Sequence, residues 1–264
     1  DNTPPVAEFT NLPDKPVEKK NFKIEGRVNE EGQVRINNVD VAVNDDLTFS
    51  TYVLVADEQT SFKLQSKDKA GNVNKPQYFT IMRDLSKSID KTKLNIDYKT
   101  EDFVFDGDIS DWELKYDMDE LYWGETANYS QFALMWDEEY LYAAVKTVDE
   151  VVFTQNSNLT ECDAIEVYVD GNNTKGTKYD KNCKQYILVA GKTTVNSVSK
   201  ITDDGYVMEI AIPWSSIGVN VSENKQIGLD INFIDNDNNR SDSGRCGIMG
   251  FNGTKNNWLN PSPW

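Results

Sequence analysis

Short segments in which every second residue is apolar recur along the whole chain, and no stretch holds an apolar stripe at helical spacing. Alternate side chains of a strand face opposite sides of a sheet, so this pattern commits the chain to an all-β fold with half-buried strands. In the first 84 residues the alternating runs are 22–28, 33–37, 39–43, 47–54, 61–66 and 77–81. Turn formers separate them at 29–32, 44–46 and 70–72. Such close spacing predicts a small β-sandwich, and nothing within it has a catalytic pattern.

Residues 85–100 are polar and rich in Lys and Asp. They read as a linker and lead-in strand, with a short helix open at 85–91. From residue 101 the strands become longer and more aromatic. Runs 132–136 and 140–146 flank the turn Asp137-Glu138-Glu139, which predicts a hairpin. Runs 164–170, 185–189, 205–212 and 226–234 follow, and Pro213 precedes a possible helical turn. Residues 101–264 therefore read as a second, larger antiparallel sandwich. The chain opens on Asp1-Asn2-Thr3-Pro4-Pro5, which suggests a piece of a longer protein.

Composition limits the chemistry. The 264 residues contain no His. Ser-His-Asp and Cys-His nucleophile systems and His-containing zinc sites are excluded, and general-base work would fall to carboxylates, Lys or Tyr. The net charge is −17, and −14 of it lies beyond residue 84, where 16 basic side chains meet 30 acidic ones. Phosphate backbones and anionic lipid repel such a surface, so neither nucleic acid nor a membrane is an expected partner. No apolar run is long enough to cross a bilayer, and the start is unlike a signal peptide. Cys162, Cys183 and Cys246 match no metal spacing and allow at most one internal disulfide.

The opening Asp1–Pro5 and the later Asp68-Lys69-Ala70-Gly71-Asn72 resemble bacterial immunoglobulin-like repeats. That resemblance covers residues 1–84 and implies a spacer, with Asp1 and Asp68 either holding an interdomain Ca²⁺ or acting as turn caps. Residues 101–264 resemble the family 9 carbohydrate-binding modules found beside bacterial xylanases. Six segments carry the likeness in family order: Phe105–Trp112, Leu134–Tyr142, Asp163–Asn173, Gly205–Trp214, Gly228–Asn232 and Asn256–Pro261.

In that family two Trp residues sandwich a terminal sugar inside a polar rim. Sugar C–H faces stack on aromatic rings, and sugar hydroxyls need planar polar partners. The resemblance places one Trp at Trp258 and the other near Thr160, where no ring is available to stack. The family's rim Arg falls on Ile187. Glu166, Gln185, Arg245 and Asn256 occupy rim positions. Tyr122, Trp123 and Trp264 are either a replacement platform or packing residues. Family members also bind structural Ca²⁺. Oxygen-rich candidates here are Asp170, Asn172 and Asp180, and separately Asp106 and Asp108; Asp235–Asn238 is a third such cluster.

The resulting expectation is a non-catalytic, monomeric module that brings a secreted or bacterial surface protein to polysaccharide or oligosaccharide. No carboxylate pair is marked out by the sequence as a glycosidase centre. A haem reading would rest on Met135, Met208 or Met249. The alternative is a structural or adhesion spacer whose sugar site is decayed or re-tooled.

Overall fold

The computed structural model describes residues 2–37, 39–222, 225–237 and 247–264. The chain forms two compact units, residues 1–89 and 90–264. Arg245, Cys246 and Asn238, like Asp1, lie outside the described residues.

The first unit carries β1 (Ala7–Phe9), β2 (Asn21–Val28), β3 (Gly32–Ile36), β4 (Val39–Val41), β5 (Thr48–Leu54), β6 (Gln59–Asp68) and β7 (Gln77–Met82). They form a three-stranded sheet, β1-β2-β5, and a four-stranded sheet, β4-β3-β6-β7. All pairs are antiparallel. The alternation in the sequence becomes alternation in burial. Ile24 and Val28 from β2, Phe49 and Val53 from β5, and Phe62 and Leu64 from β6 meet in one core. Asp68 accepts from the backbone and side-chain amides of Asn72 at 2.8 and 2.7 Å, so its carboxylate serves as a turn acceptor.

Of the stretch 85–91, only Leu85–Lys87 is helical, as a single 3₁₀ turn capped by Asp84. Lys91 then enters the second unit. Its ammonium pairs with Asp119 and donates to the carbonyl of Phe251 at 2.8 Å. Its own carbonyl accepts from Asn252 Nδ2.

The second unit contains β8 (Asp97–Tyr98), β9 (Tyr116–Met118), β10 (Glu120–Gly124), β11 (Tyr129–Trp136), β12 (Tyr140–Val148), β13 (Ala164–Asp170), β14 (Cys183–Val189), β15 (Ser197–Thr202), β16 (Gly205–Pro213), β17 (Gly228–Asp235) and β18 (Gly247–Gly250). One sheet runs β15-β16-β12-β11-β8, with β9 also paired to β11; the other runs β10-β18-β17-β13-β14. The hairpin expected around residues 137–139 joins β11 to β12, and Trp214–Ile217 forms the short helical turn after Pro213.

All seven residues of β13 are buried, and so are eight of the nine in β16. A strand at a half-wet sheet buries only every second residue. Loops therefore cover the outer faces of both sheets. On the β12–β16 side the cover is residues 103–114, which lay Phe103, Phe105 and Trp112 on Tyr142, Ala144 and Ala211. A fully buried carboxylate fastens this cover. Glu209 accepts from Trp112 Nε1 at 2.8 Å and from the backbone amides of Asp106 and Gly107. Burial raises its pKa, and those donors pull it back down.

Removing the Glu209 carboxylate would leave an indole and two backbone N–H groups without their acceptor. Each such group costs about 1–3 kcal/mol. Glu209→Ala is therefore expected to lower unfolding free energy by about 3 kcal/mol or more, and Glu209→Gln by less, in urea melts followed by tryptophan fluorescence.

Candidate functional site: a pocket on the outer face of the second sheet

Strand registry orders the outer face of the β10-β18-β17-β13-β14 sheet into rows. Directly paired residues lie on the same face, and so does every second residue along each strand. The first row is Val189, Ala164, Ile234 and Ile248. The second is Ile187, Glu166, Asn232 and Gly250. The third is Gln185, Tyr168 and Asp230, and the fourth is Cys183, Asp170 and Gly228. Polarity thus changes across the face, from an aliphatic row to a polar one.

A cavity of about 380 Å³ opens over the first three rows. This is near the small end of the range for ligand pockets. Its floor centres on Glu166, which is only 6% exposed. Three side chains converge on the carboxylate: Tyr168 Oη at 2.8 Å, Gln185 Nε2 at 2.9 Å and Asn232 Nδ2 at 2.9 Å. Gln185 Nε2 also reaches Tyr168 Oη at 3.3 Å. Burial and the neighbouring Glu166 push the Tyr168 hydroxyl pKa far upward, so it stays a donor. The floor is a preset array of planar polar groups, the arrangement that sugar hydroxyls require.

Tyr122 reaches the pocket through a β-bulge. Leu121 pairs with Met249 and Trp123 with Ile248, which leaves Tyr122 as the extra residue of β10. Its ring lies over Gly250, where an added Cβ would come within 2.4 Å of it. Only glycine admits the ring there.

The wall on the polar side is the loop after β18, folded around one buried carboxylate. Asp230 accepts from the Asn252 backbone amide at 2.8 Å, Tyr122 Oη at 2.8 Å and Asn257 Nδ2 at 2.5 Å. Asn257 Oδ1 in turn accepts the Thr254 amide, and Tyr122 Oη accepts the Gly253 amide. This loop presents Thr254, Lys255 and Trp258 to the pocket. Trp258 remains 57% exposed, which leaves much of a flat apolar surface uncovered. Thr160 also lines the cavity, with Ile187 and Ile248 toward the aliphatic end of the sheet face.

The structure thus brings together Trp258, Glu166, Gln185 and Thr160 of the expected sugar-binding set. Asn256 does not line the cavity; it is exposed, and the amide that organises the loop is its neighbour Asn257. Of the three alternative platform residues, Tyr122 lines the pocket. Trp123 sits on β10 without lining it, and Trp264 is 3% exposed, packed between Tyr168 and Tyr179 as a core ring. Tyr168, Asn232 and Asp230 were not singled out by the sequence. Their signal lay in registry with Glu166, which a single sequence does not fix. Met135, Met208 and Met249 are all buried within strands.

The oxygen-rich loops separate into distinct situations. Asp170 and Asp180, with Cys183, bring ligand atoms within 4.8 Å of one another. Asn172 Nδ2 already donates to Asp180 Oδ2 at 3.1 Å, and Asp170 caps the Asn172 and Thr174 amides. The thiol is a soft donor that does not suit Ca²⁺. Asp106 and Asp108 sit in the loop over the other sheet and cap the amides of Asp108 and Ser110. They belong to no cluster of three ligand groups among the described residues. Asp149 and Asp163 are a further pair of buried carboxylates that repel one another, and Asp149 Oδ2 is buried without a hydrogen-bond partner; like Asp106 and Asp108, they belong to no cluster of three ligand groups among the described residues. Burial first, and then the other carboxylates, drive the pKa values of Asp149 and Asp163 upward.

Comparison with known proteins bears on residues 96–264, which match the sequence profile described as "Carbohydrate family 9 binding domain-like". Endo-1,4-beta-xylanase A of Thermoanaerobacterium saccharolyticum is 34% identical over 140 residues, and Exoglucanase XynX of Acetivibrio thermocellus is 33% identical over 139. Each alignment spans 49% of this chain but only 11% and 12% of those much longer proteins. A family 9 carbohydrate-binding module of Caldicellulosiruptor kristjanssonii, solved with cellotriose, superposes with a TM-score of 0.56 at 24% identity. It covers 64% of this chain and 89% of its own. A family 9 module of the same organism solved with glucose gives 0.55 at 23% identity, covering 63% of this chain and 90% of its own.

Asp230 gives the pocket a pH signature. Full burial raises its pKa from 3.8 to about 6, against the pull of its donors. The folded protein holds this proton more tightly than the unfolded chain. Its contribution to stability is therefore intact below about 4 and is lost as pH rises through about 6. Between pH 4 and pH 7 the stability of the wild type relative to Asp230→Asn is expected to fall by roughly 2 kcal/mol, measured by denaturant melts at each pH.

Proposed function

The chain belongs, through residues 96–264, to the family 9 carbohydrate-binding domain-like family, and on that premise we propose that its pocket holds a sugar ring without covalent chemistry. The observation that carries this is the pairing of a half-exposed Trp258 with a polar floor centred on Glu166. Trp258 would stack on a C–H face, while Glu166, Gln185 and Asn232 would exchange hydrogen bonds with ring hydroxyls. The ligands named for the two solved modules, cellotriose and glucose, favour a neutral oligosaccharide, which the strongly acidic surface also tolerates.

Residues 1–84 act as a spacer, and the whole works as a non-catalytic targeting segment of a larger secreted or surface protein. The small share of the xylanase relatives that this chain spans supports the multidomain setting. Titration calorimetry against neutral oligosaccharides is expected to detect binding that Trp258→Ala weakens about tenfold or more. The same preparations should release no reducing sugar from those ligands. Loss of no affinity in Trp258→Ala would overturn the stacking role. Absence of any glycan affinity would leave the spacer reading in its place.

A calcium ion would be drawn to the buried Asp149–Asp163 pair, where two hard carboxylates repel one another and Asp149 Oδ2 has no hydrogen-bond partner. A bound divalent cation would relieve the repulsion among these groups and brace the segments that carry them. In chelator-stripped protein, added Ca²⁺ is expected to raise Tm by several degrees. The double variant Asp149→Asn, Asp163→Asn should lose that shift, while Asp170→Asn with Asp180→Asn should keep it.

A further inference from the structure

We infer that the pocket is shaped for a sugar ring that carries a methyl-terminated substituent: an acetamido group, an acetyl ester or a deoxy-methyl. This rests on the sugar-pocket reading above and names the ligand class for it. The argument starts from the two unlike walls. Trp258 lines the cavity with a flat ring, but the aliphatic end of the sheet face lines it with the branched side chains of Ile187 and Ile248. A plain sugar ring presents mostly hydroxyls at its edge, and these gain nothing against an aliphatic wall and lose water there. A methyl group gains from the same contact.

This wall is built rather than incidental. Ile187 and Ile248 are both partly buried and rest on a closed cluster of Cys162, Ala164, Val189 and Ile234. Their side chains are therefore held from behind and leave one side to the cavity. Ile187 also lies directly opposite Glu166 in the strand registry, and one step along the same face from Gln185. Apolar surface and paired polar groups thus meet within one residue spacing. A substituent that is polar near the ring and methyl at its tip matches this sequence of surfaces. For an acetamido group, the N–H would meet the Glu166 carboxylate. Asn232, which gives one amide hydrogen to Glu166 at 2.9 Å, has a second for the carbonyl.

The test compares matched ligands that differ by the methyl-bearing group, using titration calorimetry on the full chain. The pairs are glucose with N-acetylglucosamine, glucose with 6-deoxyglucose, and deacetylated with O-acetylated xylo-oligosaccharide. Burying one methyl predicts an advantage of about fourfold or more for the methyl-bearing member of at least one pair. The pair that shows it identifies which source of the methyl the pocket takes. Ile187→Asn should erase that advantage, so that the members of the pair bind alike, whereas Ile187→Val should preserve it. Equal affinity within every pair, or a preference for the methyl-free member throughout, would overturn the inference and leave the sugar-pocket reading intact. If no ligand of any pair binds, both fall together.

Discussion

The second unit's pocket depends on one buried carboxylate. Asp230 sits in the middle of β17 with no exposure, and it collects donors from β10 and from the loop after β18. An isolated ionised group at such a place would be far too costly. Because Tyr122, Asn252 and Asn257 all satisfy it, the cost is converted into a fixed arrangement of three chain segments. Trp258 is presented by the loop so fixed. The aromatic platform is therefore placed by a hydrogen-bond hub one layer beneath it.

The same logic recurs on the other sheet, where Glu209 gathers Trp112 and two backbone amides. In each case a carboxylate projecting from a strand fastens an irregular segment over an outer sheet face. This explains how two sheets can be buried on both sides without helices to cover them. It also gives the acidic composition a physical role. Part of the excess negative charge lies inside, as acceptors for backbone amides in turns and covers, and is no measure of the surface field alone.

Much of the fold was legible because alternation at period two is a local property. The β11–β12 hairpin and β13, β16 and β17 all follow from the residues that compose them. The continuous burial of Ala164–Asp170 was not legible, since it depends on covers contributed by distant loops. In the site, Trp258, Glu166 and Gln185 could be placed through resemblance, and Thr160 marked the missing ring. Asn232 and Tyr168 became visible only once registry set them beside Glu166. Tyr122 needed the bulge in β10, which no alternation pattern announces. For Trp264 the sequence left platform and packing both open, because a terminal aromatic in a polar segment gives no hint of what it packs against; the structure makes it a packing ring. Asn256 stands exposed beside Trp258 while its neighbour Asn257 holds the loop together, a division of labour that turns on a single residue of turn geometry.

The entry of the chain into this unit adds a mechanical aspect. Lys91 is pinned to Asp119 and to the Phe251 carbonyl, and its own carbonyl accepts from Asn252. Asn252 is also one of the groups that hold Asp230. A pull transmitted along the backbone from residue 89 is therefore borne first at the root of the ligand-facing loop. Tension on the tether bears on the same few bonds that hold the Trp258 loop in place.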